Sequence, residues 1–265
     1  MELTAFTIDA RTMKTEFDKL GIEFKEFPDV GPSTGEIKIK KHDTALAIYQ
    51  GILKRVHERI GEDKCLFDAY LHKQIAICFW YLSDLNGAKQ HIKKHIKLTK
   101  TFSQGQVLDL AEAYEMLGQI YYDMGNYQKA TAKFNKQLMF CVEKWGEEYY
   151  ELAKVYEKIG MSYYYDDLKT NAIEYLEKAN DTYPLSLGID KAAERRCLAA
   201  TARLNLAKDA KPDAIQSYNS VLEIFIAQKL CRQETAKIHQ ELGNIYRSEG
   251  KYQDGLEQFT KAKTD

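Results

Sequence analysis

His91 and His95 stand four residues apart in KQHIKKHIKLTK, a spacing at which one helix face can offer two imidazoles to a metal ion. No carboxylate follows His91, as a zinc-protease pattern requires, and no third ligand suggests itself. Ala88, Ile92 and Ile96 form an apolar face beside the pair, so His95 reads as a half-buried packing residue. GPSTGEIK (31–38) has the outline of a phosphate loop, but Glu36 follows the second glycine where Lys-Ser or Lys-Thr is needed. It reads as an exposed insertion. Cys65, Cys78, Cys141, Cys197 and Cys231 include no close pair, which excludes a disulfide framework and a zinc pattern. No nucleophile-bearing motif places a serine or cysteine beside a histidine. No catalytic, metal or cofactor site is expected, and the chain is read as a non-enzyme. One charge cluster stands out: Lys89, Lys93, Lys97 and Lys100 share a helix face, as a solvated surface or a contact for an acidic protein, phospholipid or nucleic acid.

The surroundings of these residues are helical in composition. Only 4 prolines occur in 265 residues, with abundant Ala, Leu, Lys and Glu. A net charge of -1 gives no global reason to expect nucleic acid or an anionic membrane as partner. The longest apolar run, IAICFWYL (75–82), falls well below the roughly 20 residues of a membrane span. The start, MELTAFTIDARTMK, lacks the apolar segment of a signal peptide, and the scattered cysteines suit a reducing compartment, cytoplasm or nucleus.

The elements emerge from self-comparison. Ala76, Gly118 and Gly160 are 42 residues apart, followed by Ala200 and Gly243. Three residues after these anchors stand Phe79, Tyr121, Tyr163, Arg203 and Tyr246; twelve after stand Ala88, Ala130, Ala172, Pro212 and Gly255. Ala214 fits the fourth unit better if its turn, Lys208–Lys211, is two residues longer. Sixteen after the anchors come Ile92, Phe134, Leu176 and Phe259, with Tyr218 in the shifted unit. Apolar residues at these spacings define one helix face, and the small residues let a second helix approach closely. Gly125 and Gly250 fall between the helices, where the turn needs positive φ. Each unit is a helix–turn–helix hairpin that buries its apolar face by stacking on the next.

Leu117-Gly118, Tyr121, Gly125, Tyr127, Ala130 and Phe134 resemble the tetratricopeptide repeat, as do Leu242-Gly243, Tyr246, Gly250, Tyr252 and Phe259. The period is longer than the family's common one and is similar to that of kinesin light chains, Pins/LGN polarity adaptors and Tonsoku-like scaffolds. The resemblance implies an all-α fold, a right-handed α-solenoid of stacked hairpins. Five units are expected over 66–265 (66–107, 108–149, 150–189, 190–232 and 233–265). They are preceded by a degenerate pair over 1–65 with an inserted loop at 28–41. The chain stops at FTKAKTD, in or just after the last second helix, leaving that end to be covered by a partner or by further chain.

The family pattern implies that first helices line a concave groove, with outward positions six and three before the anchor and one and four after it. In the first two units these are Tyr70, Lys73, Ile77 and Trp80, then Glu112, Glu115, Gln119 and Tyr122. The third unit has Lys154, Glu157, Met161 and Tyr164. The fourth has Glu194, Cys197, Thr201 and Leu204; the fifth has Lys237, Gln240, Asn244 and Arg247. Trp80, Tyr122 and Tyr164 would form an aromatic file beside an acidic wall of Glu112, Glu115, Glu157 and Glu194, suited to an extended or helical protein segment. Lys237 and Asn244 lack the companions over three units that a chaperone-type carboxylate clamp needs. The implied function is a protein-binding adaptor or scaffold. The alternatives are a sensor of a small ligand or short peptide and, among scaffolds, a genome-maintenance or a cytoskeletal and polarity role.

Overall fold

A computed structural model describes residues 35–62, 66–102, 107–147, 149–186, 193–227 and 232–264. The described residues form eleven α-helices and one 3-10 turn: α1 (Gly35–Ile60), α2 (Leu66–Tyr81), α3 (Leu85–Phe102), α4 (Val107–Asp123), α5 (Tyr127–Trp145), α6 (Leu152–Tyr165), α7 (Lys169–Thr182), the 3-10 turn (Tyr183–Ser186), α8 (Ala193–Ala207), α9 (Lys211–Ala227), α10 (Arg232–Ser248) and α11 (Tyr252–Thr264). The fold is all-α, of the hairpin-solenoid class. The chain divides into two compact units, Met1–Lys144 and Trp145–Asp265, so the boundary falls between the second and third hairpins.

Five turns join the hairpins internally, and all are built alike. A residue in left-handed conformation occupies the middle of each: Ser83, Gly125, Asp167, Asp209 and Gly250, with φ between 60° and 75°. The next amide closes each turn by donating to the carbonyl five residues back: Asp84 to Phe79, Asn126 to Tyr121, Leu168 to Tyr163, Ala210 to Asn205 and Lys251 to Tyr246. Five residues beyond the left-handed position sits the small residue of the second helix: Ala88, Ala130, Ala172, Ala214 or Gly255, all buried.

This regularity corrects the fourth unit. Its turn is no longer than the others, and Asn205, not Arg203, matches Phe79, Tyr121, Tyr163 and Tyr246. The anchor is therefore Ala202 instead of Ala200. Ala202 packs in one cluster with Ala214 and Tyr218, whereas Ala200 packs with Ala153, Ala179 and Tyr183. Closely spaced alanines at 199, 200 and 202 hid the register.

The anchors do what their size permits. A Cβ on Gly160 would stand 2.7 Å from Leu176 Cγ, and one on Gly243 2.8 Å from the Phe259 ring. Each side chain sixteen residues on occupies the space its anchor leaves. In α1, Ala45, Tyr49, Ile52 and Val56 pack on Phe67, Leu71 and Ile75 of α2, the role of a second helix. Residues 35–41, expected within the inserted loop, are helical, because helix α1 already begins at Gly35. The stretch after Pro32, GEIKIKKH, contains no further proline to stop it. The expected first helix of this pair, residues 9–27, lies outside the described residues.

Candidate functional site

The groove positions of the N-terminal unit are tied together by charge and hydrogen bonds. Lys73 Nζ on α2 reaches Asp109 Oδ1 and Glu112 Oε2 on α4, at 2.8 Å each. Burial pulls the Lys73 pKa down, but the two carboxylates outweigh it and hold the ammonium above its ordinary value. Glu115 accepts from Gln137 Nε2 of α5 at 3.0 Å, turned toward its own hairpin partner. These two glutamates therefore also serve interhelical contacts.

Nearer the turns, Asp123 gathers two groove residues. Its Oδ2 accepts the Trp80 Nε1–H at 2.8 Å across the α2–α4 step, and its Oδ1 accepts from Gln119 at 2.8 Å. The indole is thus held by its polar edge while the ring stays half-buried against Tyr81, 5.4 Å between centroids. Tyr122 is also half-buried and meets the Tyr127 ring edge-on at 5.4 Å. Tyr70 packs against the α1–α2 core, and burial pushes its phenol up to about 12. Ile77 is half-buried.

In the C-terminal unit the same columns hold a half-buried ionic cluster. Glu157 on α6 accepts a hydrogen bond from the Tyr183 hydroxyl and pairs with Arg203 Nη1 on α8 at 2.6 Å. Burial works against the guanidinium's charge, yet Glu157 outweighs it with help from Glu241 on α10. Burial raises the Glu241 carboxyl above its usual range, against the pull of Arg203. With the corrected register, Arg203 lies one residue past its anchor, in the column of Ile77, Gln119 and Met161. The sequence-based reading missed Arg203 as a groove residue; the constant offset from Asp209 to Ala214 was the signal that could have found it. Glu194, Cys197, Thr201 and Leu204 leave those columns by the same correction, replaced by Arg196, Ala199, Arg203 and Leu206.

Other expected residues vary in exposure. Met161 is 6% exposed and belongs to the core instead of the surface. Tyr164 packs partly against the α8–α10 core and meets Tyr165 edge-on at 5.3 Å. Lys154 is half-buried. Lys237 and Arg247 are exposed, and Arg247 donates to Asn244 Oδ1 at 3.2 Å. Lys89 is half-buried and donates to Asn86, while Lys93, Lys97 and Lys100 are exposed.

The histidines that drew notice first lie in an interior chain. His95 is 1% exposed, more deeply buried than expected, with Nδ1 2.9 Å from the Ala69 carbonyl and Nε2 3.5 Å from Asp109. The other, His91, pairs with His72 Nδ1 to Nδ1 at 2.9 Å. Burial first, then the neighbouring His91 and Lys94, drives the His72 pKa down to about 3. Among the described residues, no three His, Cys, Asp or Glu side chains are grouped so as to hold a metal ion. No described helix is long and apolar enough to cross a membrane.

The tetratricopeptide-repeat pattern matches residues 111–139, the hairpin of α4 and α5. Tetratricopeptide repeat protein 29 of Macaca fascicularis is 26% identical over 147 residues, covering 56% of this chain and 30% of that protein. The chain thus aligns with under a third of the length of this relative. Among solved structures, apo RapI has a TM-score of 0.64 at 12% identity, covering 86% of this chain and 93% of its own. BtubC (BKLC) from P. vanneervenii has a TM-score of 0.55 at 16% identity over 88% and 91%. A kinesin light chain-like repeat protein of Podosopora anserina has 0.51 at 14% over 74% and 94%. At these identities the likeness concerns the fold alone.

Proposed function

We propose that this chain, a tetratricopeptide-repeat protein, is a non-enzymatic adaptor that holds a protein segment against the exposed columns of its first helices. The observation that carries the reading is the Trp80–Asp123–Gln119 arrangement. Fixing an indole by its N–H, while leaving part of the ring uncovered, removes the conformational cost of ordering it upon binding. Half-buried Tyr122 extends the same kind of contact along α4. Lys73 meets two carboxylates, Asp109 and Glu112, so this group keeps a net negative charge. A basic or mixed, partly apolar segment suits these columns. The repeat class supports a non-catalytic role.

The test is affinity capture with the intact chain beside Y122A/Y164A, at matched folded fraction. Loss of a captured protein by the variant is expected, with retention by Y165A, a change to an exposed neighbouring ring. Unchanged capture by a merely less stable Y122A/Y164A chain would make both rings packing residues and end the groove reading.

A further inference from the structure

Within the N-terminal unit, two rings of α4 are each covered by two lysines. The ammonium groups of Lys93 on α3 and Lys129 on α5 both lie 5.8 Å from the Tyr121 centroid. Those of Lys100 and Lys136 lie 5.4 and 5.3 Å from the Tyr114 centroid. The rings themselves are 8% and 4% exposed, so the lysines form the outer layer. Rising numbers on α3 and α5 meet falling numbers on α4, so the two second helices run parallel to each other and antiparallel to α4. Seven residues separate the rings, about 10.5 Å along a helix. The four ammonium groups are therefore two rungs of a ladder, two turns apart.

Nothing on these helices offsets the charge as it does elsewhere. Helix α3 contains no aspartate or glutamate, and in α5 the acidic residue is Glu143, near the end. In α7 and α11, by contrast, Lys178 pairs with Glu174 and Lys261 with Glu257, each across one turn. Helices α3 and α5 also contain no arginine, so they present point charges without the planar fork that fits phosphate in two-bond fashion.

We infer that this lysine ladder docks an acidic helix of a partner protein. Carboxylates seven residues apart on a helix lie on one face and recur at the same ~10.5 Å, so one such face meets both rungs. Phosphates of a nucleic-acid strand recur every ~3.4 Å along the axis, and two rungs at this distance would leave most of them unmet. Met139, 55% exposed and three residues past Lys136, adds an apolar contact for the flank of an amphipathic helix. The surface is separate from the first-helix columns, so the chain would hold two partners, or two parts of one.

The experiment titrates the full chain with a fluorescent helical peptide bearing glutamates at every seventh position and leucines on its flank. Binding is expected to weaken with added salt and to fall about tenfold in K93Q/K100Q/K129Q/K136Q, four surface charge contacts of ordinary strength. The matching four-arginine variant, which keeps the charge, should bind as the parent does. Equal binding by the glutamine variant, or lost binding by the arginine variant, overturns the ladder. So does equal binding of a glutamine-substituted peptide, or tighter ladder-dependent binding of a duplex oligonucleotide or phosphatidylserine vesicles. Y122A/Y164A should leave the peptide affinity unchanged, which separates failure here from failure of the groove reading.

Discussion

The Phe134 ring occupies the space a side chain at Gly118 would need: a Cβ built there would stand 2.6 Å from Phe134 Cε1. The ring is 0% exposed and cannot swing into solvent without emptying the core. Replacing a helical glycine by alanine normally gains about 1 kcal/mol of helix propensity. Overpacking of this kind costs about 1–3 kcal/mol, so Gly118→Ala should lower stability by roughly 1 kcal/mol net. Gly51→Ala in α1, where a Cβ meets nothing within 4 Å, should instead raise it by about 1 kcal/mol. Urea unfolding of both variants checks the pair of opposite signs.

The turns permit a purely conformational test. Gly125 has φ 72°, and a Cβ there meets nothing within 4 Å. Gly125→Ala should cost about 1 kcal/mol through the left-handed backbone alone. Asp167 holds the equivalent place with φ 60°, and Asp167→Gly should gain about 0.5 kcal/mol, since aspartate tolerates this region better than most residues. Thermal melting of the two variants, with shifts of opposite sign, is the measurement.

Acid should weaken the N-terminal unit through its interior histidines. The ordinary His pKa of 6.5 falls to about 3 at His72 on folding, and burial lowers His91 and His95 too. Above pH 6.5 His72 is neutral in both states, and its contribution to stability is fully present. Below 6.5 the unfolded chain takes up a proton that the folded chain refuses, so stability falls progressively toward pH 3. Between pH 7 and pH 5 the His72 part is on the order of 2 kcal/mol. Denaturant midpoints across this range should fall in the parent and flatten in His72→Gln.

Arg203 stands between two carboxylates that burial would otherwise penalise. Arg203→Leu leaves Glu157 and Glu241 without their shared cation and should cost about 3 kcal/mol. Removing one carboxylate charge as well, in R203L/E157Q, should recover part of that loss. A double-mutant cycle by urea unfolding measures the coupling.

Hairpin architecture was legible in the sequence because its main requirement is size. A small residue at 118, 160 or 243 faces a large one sixteen places on, and no other residue type satisfies that contact. Gly125 and Gly250 marked their turns for a similar reason. Asp167 and Asp209 take the same backbone conformation without advertising it, and several small residues around Ala202 offered rival registers; the fourth unit was misaligned by two. The site was less legible. Periodicity places Glu112, Glu115 and Glu157 on a face, but whether they meet solvent depends on Lys73, Gln137 and Arg203, which arrive from other helices. Only helix packing decides such pairings. Asp123 lies one residue beyond the last groove column, so the repeat spacing does not mark it.

The five left-handed residues, Ser83, Gly125, Asp167, Asp209 and Gly250, follow one another at intervals of 42, 42, 42 and 41. Everything that aligns a hairpin is counted from this one residue: the closing amide, the small residue five places on, and the large side chain four further on that faces the anchor. A stretch cut from one such residue to the next is thus an interchangeable cassette with matching ends. Duplicating or deleting it would create a junction of the kind already present, which lets an array lengthen or shorten by recombination without a new packing problem.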